Sequence, residues 1–375
     1  MSTVAAAADF IVIGAGIAGA SVAWRLAPHG RVVLIEAEHR PGYHSTGRSA
    51  AMFDRAYGNA TIRALTAASH EFFLDPSPLG LDEPLLSPRG ALYVARADQL
   101  ELLQRHYESI RAHAPEAELH DGQFARERSP ILREGLFERC VWDPSSADID
   151  IARMHDALLT HARRLGCEFL RSAQVDRLER RGSDWHVHVG DREFPAPVVV
   201  NAAGAWADEL AALAGLASLG LQPRRRSIAV VPLPQSLDPR HWPLTIDVEE
   251  TWYFKGEAGR LLVSPADEVD VAPCDASVDD EALAAGIARF EAATTVEVRR
   301  VTSSWAGLRS FFPDRSPVLG PDPRAPGFFW CAGLGGYGIQ TAPAVSALVA
   351  STVLGQPSAD AALLAQVSAA RLLGK

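Results

Sequence analysis

The sequence predicts an α/β protein in which a doubly wound parallel sheet is interrupted by an inserted antiparallel-sheet domain. Three observations carry that expectation. An apolar run, Asp9-Phe10-Ile11-Val12-Ile13, breaks into a glycine turn and a weakly polar helical stretch, and a second apolar run, Arg31-Val32-Val33-Leu34-Ile35-Glu36, follows soon after. Short runs of the same kind return much later as Val198-Val199-Val200 and Phe328-Phe329-Trp330-Cys331-Ala332. Between these returns the pattern changes to alternation, as in Ala91-Leu92-Tyr93-Val94-Ala95, Ser227-Ile228-Ala229-Val230-Val231 and Arg260-Leu261-Leu262-Val263-Ser264. Buried parallel strands read as continuous apolar runs and antiparallel ones as alternation, so one sheet is revisited while another is inserted.

Taken in order, residues 9–13 form a strand, 14–19 a glycine turn, 20–27 a helix and 31–36 a second strand, which together make a βαβ unit. Residues 252–263 read as a hairpin and 278–293 as an amphipathic helix opened by acidic residues. A strand at 328–332, a glycine turn and a buried helix over about 343–354 close the chain. The dinucleotide-binding domain is thus expected from residues 1–80, 145–220 and 320–375, with a second domain inserted from 81–144 and 221–319. Residues 325–359 hold no charged side chain, but Gly333, Gly335, Gly336, Gly338 and Pro343 interrupt them and Gln340 and Thr341 sit inside, so they are not expected to span a membrane.

Composition limits the function classes. At 375 residues, 47% hydrophobic and 22% charged, the chain can bury a large core. A net charge of −10 opposes encounter with phosphate backbones, which argues against a nucleic-acid partner. The four cysteines, Cys140, Cys167, Cys274 and Cys331, show no metal spacing, and no metal site is expected. The first ten residues lack a basic segment ahead of an apolar core, so the expectation is a cytoplasmic protein without a signal peptide.

Gly14-Ala15-Gly16-Ile17-Ala18-Gly19 matches the G-x-G-x-x-G of dinucleotide sites, where glycines allow the tight turn, the approach of a pyrophosphate and helix-on-strand packing. Glu36, 17 residues after Gly19 at a strand end, would accept hydrogen bonds from ribose hydroxyls and repel a 2′-phosphate. The segment after it, Arg40-Pro41-Gly42-Tyr43-His44-Ser45-Thr46-Gly47-Arg48-Ser49-Ala50-Ala51, resists helix formation where a nicotinamide enzyme would place a crossover helix. Its small and hydroxylated residues suit a long cofactor lying against the backbone, although a solvated polar loop reads the same way on composition.

These residues carry a resemblance. The chain resembles the D-amino acid oxidase superfamily of FAD-dependent amine oxidoreductases, and within it bacterial D-arginine dehydrogenase most of all. The likeness rests on six motifs in order: 14–19, 41–51, Ala56-Tyr57-Gly58, Asn201-Ala202-Ala203-Gly204-Ala205-Trp206, Trp305-Ala306-Gly307-Leu308-Arg309 and Gly335-Gly336-Tyr337-Gly338-Ile339-Gln340. It implies an FAD site at Gly14, Gly16, Ala18, Gly19, Glu36, Ala37, Ser45, Thr46, Ser49, Ala50, Met52, Val175, Ala203, Gly204, Gly333, Gly335, Gly336, Tyr337, Gly338, Ile339 and Gln340. It makes the inserted domain, 81–144 and 221–319, a substrate domain. It also implies oxidative deamination of an amino acid, with hydride passing from Cα to flavin N5, the imino acid hydrolysing to a 2-oxo acid and ammonia, and a quinone or dioxygen as the electron acceptor. Some relatives attach FAD through a cysteine near the segment matching 307–313; this chain has none there, so FAD is expected to be non-covalent.

Arg226 and Arg309 stand in apolar company, and a buried guanidinium demands an anion. A protein carboxylate and a substrate carboxylate are equal candidates from the residues alone. The resemblance favours substrate, with Tyr253 and Tyr57 assisting and a backbone carbonyl near Gly336 holding the amino group. A pyridoxal Schiff base would need a lysine, and the chain has only Lys255 and Lys375. No serine-histidine-aspartate arrangement is recognisable around His44. Where D-arginine dehydrogenase carries a glutamate for the substrate guanidinium this chain has Ala91, with Met52 and Asp54 replacing a histidine and a threonine. The expectation is therefore preference for apolar or aromatic side chains, unless Asp54 or Glu83 reaches the pocket. A glycine- or sarcosine-oxidase-like amine oxidase and a flavin-binding subunit of a larger complex are the alternatives.

Overall fold

The structure, a computed structural model, describes residues 3–357 and 361–373, so Met1, Ser2, Lys375 and the last two residues of the uncharged run, 358–359, lie outside the described residues. At its centre Phe10–Ile13 pairs in parallel with Val32–Ile35 on one side and Val198–Asn201 on the other, all three strands buried almost throughout. Phe328–Ala332 adds beyond Val198–Asn201, Glu168–Leu170 beyond Val32–Ile35, and Val318–Pro321 runs antiparallel at the edge, giving a six-stranded sheet. The continuous apolar runs are explained by burial of both faces. Val12, Val32 and Leu34 pack under the helices Ile17–Leu26, Ile151–Arg164 and Gly338–Val353, whereas Ile11, Val33 and Ile35 face a four-stranded sheet built from Thr3–Val4 and residues 177–196.

The helix expected over 343–354 starts at Gly338, because Thr341 N–H already bonds the Tyr337 carbonyl; Pro343 sits inside it, and its own carbonyl accepts from Arg25. Asp280–Ala293 starts two residues later than expected, where the Asp279 side chain accepts from Ala282 N–H. The hairpin is present as Tyr253–Glu257 and Arg260–Ser264.

These two strands belong to a nine-stranded, mainly antiparallel sheet. Its longest strands, Gln222–Pro232 and Ser303–Phe311, pair along nearly their full length, and Tyr253, Ile246 and Tyr93 stand in one cross-strand row. Phe254, Trp252, Leu92 and Val231 pack the opposite face. The sheet therefore offers one face to its own core and the other to the parallel-sheet domain. Among the described residues no helix is long and apolar enough to cross a membrane, and no group of His, Cys, Asp or Glu is arranged to hold a metal ion.

Candidate functional site

The C-terminal ends of the parallel strands and the free face of the nine-stranded sheet enclose a cavity of about 660 Å³. The glycine turn forms one wall. Gly14 has φ +101°, and a Cβ there would lie 2.3 Å from the Ala202 carbonyl oxygen, so only glycine lets the two strand ends approach. Gly19 serves packing instead: its Cβ would stand 1.8 Å from the Gly14 carbonyl oxygen, and it lies outside the cavity lining. Glu36 lines the cavity, and its carboxylate accepts from Ala15 N–H at 2.7 Å and Glu38 N–H at 2.9 Å, bracing the glycine turn as well as facing the space where a ribose would lie.

Ala37 and Val175 line the same end, and Ala18, Ser45, Thr46, Ser49, Ala50, Ala203, Gly204, Gly333, Gly335, Gly336, Gly338 and Ile339 continue the lining toward the substrate sheet. Thr46 Oγ1 accepts from Ile17 N–H at 3.0 Å, and Ser45 donates to the Leu308 carbonyl at 2.6 Å. The 40–51 segment is thereby a wall bonded to both domains, and the solvated-loop reading does not hold. A narrow channel walled by backbone and small side chains, with a carboxylate at one end, fits an extended dinucleotide such as FAD.

Several contributors to this wall escaped the sequence reading. Arg48 donates to the Ala276 and Ala306 carbonyls, each at 2.9 Å, and pairs with Asp275. His155 Nε2 lies 2.9 Å from the Ala15 carbonyl oxygen; burial holds its pKa down, so the neutral ring donates there and steadies the glycine turn. Lys255, almost fully buried, donates to the Ala50 carbonyl at 2.8 Å and to Asp148 at 2.9 Å. Ala50 precedes Ala51, held at φ +51°. The partners of Arg48, His155 and Lys255 are far away in sequence, so spacing gave no signal for them.

At the substrate-sheet end the decisive contrast lies within one run. Arg224 pairs with Glu268 and Asp270, and Arg225 with Asp279 and Asp267. Arg226 lines the cavity, donates through Nε to the Asp267 backbone carbonyl at 2.6 Å, and has no carboxylate within ion-pair distance among the described residues. Arg309, opposite Arg224 in register, also lines the cavity without a carboxylate partner among them; its Nη1 donates to the Tyr57 hydroxyl at 3.2 Å. Burial opposes its charge, but the hydroxyls of Tyr57, Tyr253 and Tyr337 outweigh that and raise its pKa, so the guanidinium remains charged. Gly336 faces it directly, since a Cβ there would fall 2.8 Å from Arg309 Cζ.

Tyr253 lines the cavity, whereas Tyr57 stands behind Arg309. Three further residues expected at the cofactor lie outside the lining. Met52 pairs in a small sheet with Asp148, Tyr337 is buried edge-on to Tyr57 with ring centroids 4.9 Å apart, and the Gln340 amide is occupied by the Asp54 backbone and Thr66. Neither acidic candidate for a substrate side chain reaches the cavity: Glu83 is exposed beside Arg153, and Asp54 is buried under Tyr93. Among the described residues the wall from the nine-stranded sheet contributes arginine, tyrosine, Ser310 and apolar groups and no carboxylate.

A profile of the family described as DAO, FAD dependent oxidoreductase, matches residues 9–352. The bovine (Bos taurus) FAD-dependent oxidoreductase domain-containing protein 1 is 26% identical over 92% of this chain and 81% of its own length. The tRNA 5-methylaminomethyl-2-thiouridine biosynthesis bifunctional protein MnmC of Burkholderia multivorans is 28% identical over 94% of this chain, which spans only 57% of that protein. Among solved structures, glycine oxidase from Geobacillus kaustophilus superposes with a TM-score of 0.84 at 24% identity, covering 96% of this chain and 98% of that one.

Proposed function

The chain belongs to the FAD dependent oxidoreductase family, and from that premise we propose that it oxidises the Cα–N bond of a D-amino acid with an apolar or aromatic side chain. The observation that carries the proposal is the pair of cavity-facing guanidiniums, Arg226 and Arg309, with which no carboxylate among the described residues pairs. Buried unpaired charge is costly, and a ligand carboxylate gripped by planar forks relieves that cost. The same observation argues against a flavin-binding subunit without activity of its own, which would not need both arginines turned into the cavity. The D configuration rests on the resemblance of the six sequence motifs to D-arginine dehydrogenase, the comparisons reaching only as far as the family. Ala91, fully buried, and the lack of an acid on the substrate-sheet wall support apolar side chains over cationic ones.

The residues lining the channel from Glu36 to Ile339 would hold the cofactor, and bound FAD supplies the two-electron acceptor for the Cα–H. The protein's share is orientation. Arg309 and Arg226 fix the carboxylate, Tyr57 holds Arg309 from behind, Tyr253 closes the side of the cavity, and the Gly336 backbone receives the amino group. Loss of hydrogen from Cα and a proton from nitrogen leaves an imino acid, which water converts to the 2-oxo acid and ammonia. Cys331 lines the cavity, but burial pushes its thiol up to about 12, which disfavours the thiolate, and residues 307–313 hold no cysteine; both support FAD held without a covalent bond. A quinone or dioxygen then takes the electrons, the dehydrogenase route being favoured by the same likeness.

The test is the visible spectrum of the purified protein under nitrogen. Bleaching by D-phenylalanine or D-leucine faster than by D-arginine supports the proposal. A clear kcat/KM advantage for D-arginine overturns the side-chain preference, and bleaching by glycine or sarcosine alone moves the reaction to simple amine oxidation.

A further inference from the structure

One buried acid has no part in the reaction as described, yet touches every piece that frames the substrate end. Asp54 is 6% exposed. Its carboxylate accepts from Ala56 N–H at 2.8 Å and from the Tyr93 hydroxyl at 3.1 Å, and its backbone carbonyl accepts from Tyr57 N–H at 3.4 Å. Its own peptide groups are gripped on both sides by one side chain: Asp54 N–H donates to Gln340 Oε1 at 3.1 Å, and Gln340 Nε2 donates to the Asp54 carbonyl at 3.2 Å. Gln340 lies in the helix that follows the glycine turn, Tyr93 lies on the substrate sheet, and Tyr57 ends on Arg309. Asp54 thus joins three separate elements at the foot of the tyrosine that steadies the substrate-binding arginine.

We propose that Asp54 is a positioning residue for substrate carboxylate binding: its ionised side chain locks the Ala56–Tyr57 turn and so holds the Tyr57 hydroxyl against Arg309. The inference rests on the reading that Arg309 binds a carboxylate. A carboxylate accepting from a backbone N–H and a phenol is a far better acceptor charged than neutral. Facing it are Asp143, from the strand beside that of Tyr93, and Tyr93 itself, on which His106 stacks, while Gln340, which grips its backbone, and Thr66 behind that amide do not titrate. Burial and the Asp143 charge raise Asp54 to about 6, so it changes protonation where ligand carboxylates stay ionised. As pH falls through that value the turn loses its charged acceptor, and Arg309 loses a fixed neighbour.

The test uses the FAD-loaded protein, with benzoate as a simple carboxylate probe read by perturbation of the flavin spectrum between pH 5 and 8. The expected result is wild-type affinity that weakens by roughly three- to tenfold as pH falls through about 6. Asp54→Asn should remove the step, and Tyr57→Phe, which leaves Asp54 intact but cuts the link to Arg309, should weaken binding and also flatten it. A step that persists unchanged in both variants overturns the inference, as does a flat wild-type profile. If Asp54→Asn does not fold, Tyr57→Phe alone decides. Arg309→Met separates the two claims: wild-type benzoate binding that ignores this substitution refutes the reading of Arg309, whereas binding that needs Arg309 but shows no step refutes only the role of Asp54.

Discussion

The two ends of the cavity solve the problem of charge in opposite ways. At the glycine-turn end, Glu36 meets backbone N–H groups, Thr46 the Ile17 N–H and His155 a carbonyl, so the wall is satisfied before any ligand arrives. At the other end Arg226 and Arg309 are held by a single carbonyl and a single phenol and face the cavity without an ion-pair partner among the described residues, Glu268 acting on Arg226 only from beyond contact. The first end is a mould whose shape selects the cofactor; the second is an open electrostatic demand that selects an anion. Satisfied groups report on stability, and unsatisfied ones report on function.

Breaking the mould should have the largest effect. Gly14→Ala combines φ +101° with a 2.3 Å approach to Ala202, so the variant is expected to purify without yellow colour or not to fold, as visible absorbance and thermal melting would show. Arg309→Met should leave the mould intact. FAD stays bound while kcat/KM falls on the order of a hundredfold, because a charge-assisted contact in a water-poor site is worth roughly 3 kcal/mol, and lysine should rescue only part of it. Arg226→Met should cost less, about tenfold, since the Glu268 carboxylate already offsets part of that charge. Arg224→Met should change kcat/KM by less than about twofold, its charge being spent on Glu268 and Asp270. An equal loss at Arg224 and Arg226 would erase the distinction between paired and unpaired guanidiniums.

The smallest effect is one of stability. Asp54 has its pKa raised to about 6 against an ordinary 3.8, so the folded state binds the proton more tightly than the unfolded chain does. Its contribution is therefore most favourable below about pH 4 and is lost as pH rises to about 6. Thermal melting of Asp54→Asn should lack that decline, so that wild type loses ground relative to the variant between pH 4 and pH 7. A residue whose ionised form costs stability but supports ligand binding fits the second end of the cavity rather than the first.

What was legible in the sequence follows the same division. The βαβ unit was readable because its signals are local: an apolar run, three glycines and an acid at the next strand end. Motif order then carried Arg309 to the cavity, while Arg226 stood out as a cation in apolar company and Tyr253 entered through the family resemblance. Local signals also existed for pieces left unassigned, such as Asn59 and Asp150, whose side chains cap the helices Ala60–Leu74 and Ile151–Arg164. Partnerships across long separations were not readable. Gln340 looked like a cofactor residue because it closes a glycine-rich motif, yet its amide is taken by Asp54, 286 residues earlier. Likewise, nothing near Arg226 in the chain reveals that Asp267 offers it a carbonyl while giving its carboxylate to Ser227.

The central claim, that the unpaired guanidiniums exist to hold a substrate carboxylate, is tested most directly by removing that carboxylate from the substrate. Anaerobic flavin reduction is followed with D-phenylalanine and with phenethylamine, in wild type and in Arg309→Met. The account expects wild type to be reduced by D-phenylalanine at least a hundredfold faster than by phenethylamine, on the order of a buried charge pair, with Arg309→Met collapsing the ratio toward one. Equal rates with the two compounds in wild type, or a ratio unchanged in Arg309→Met, would contradict it.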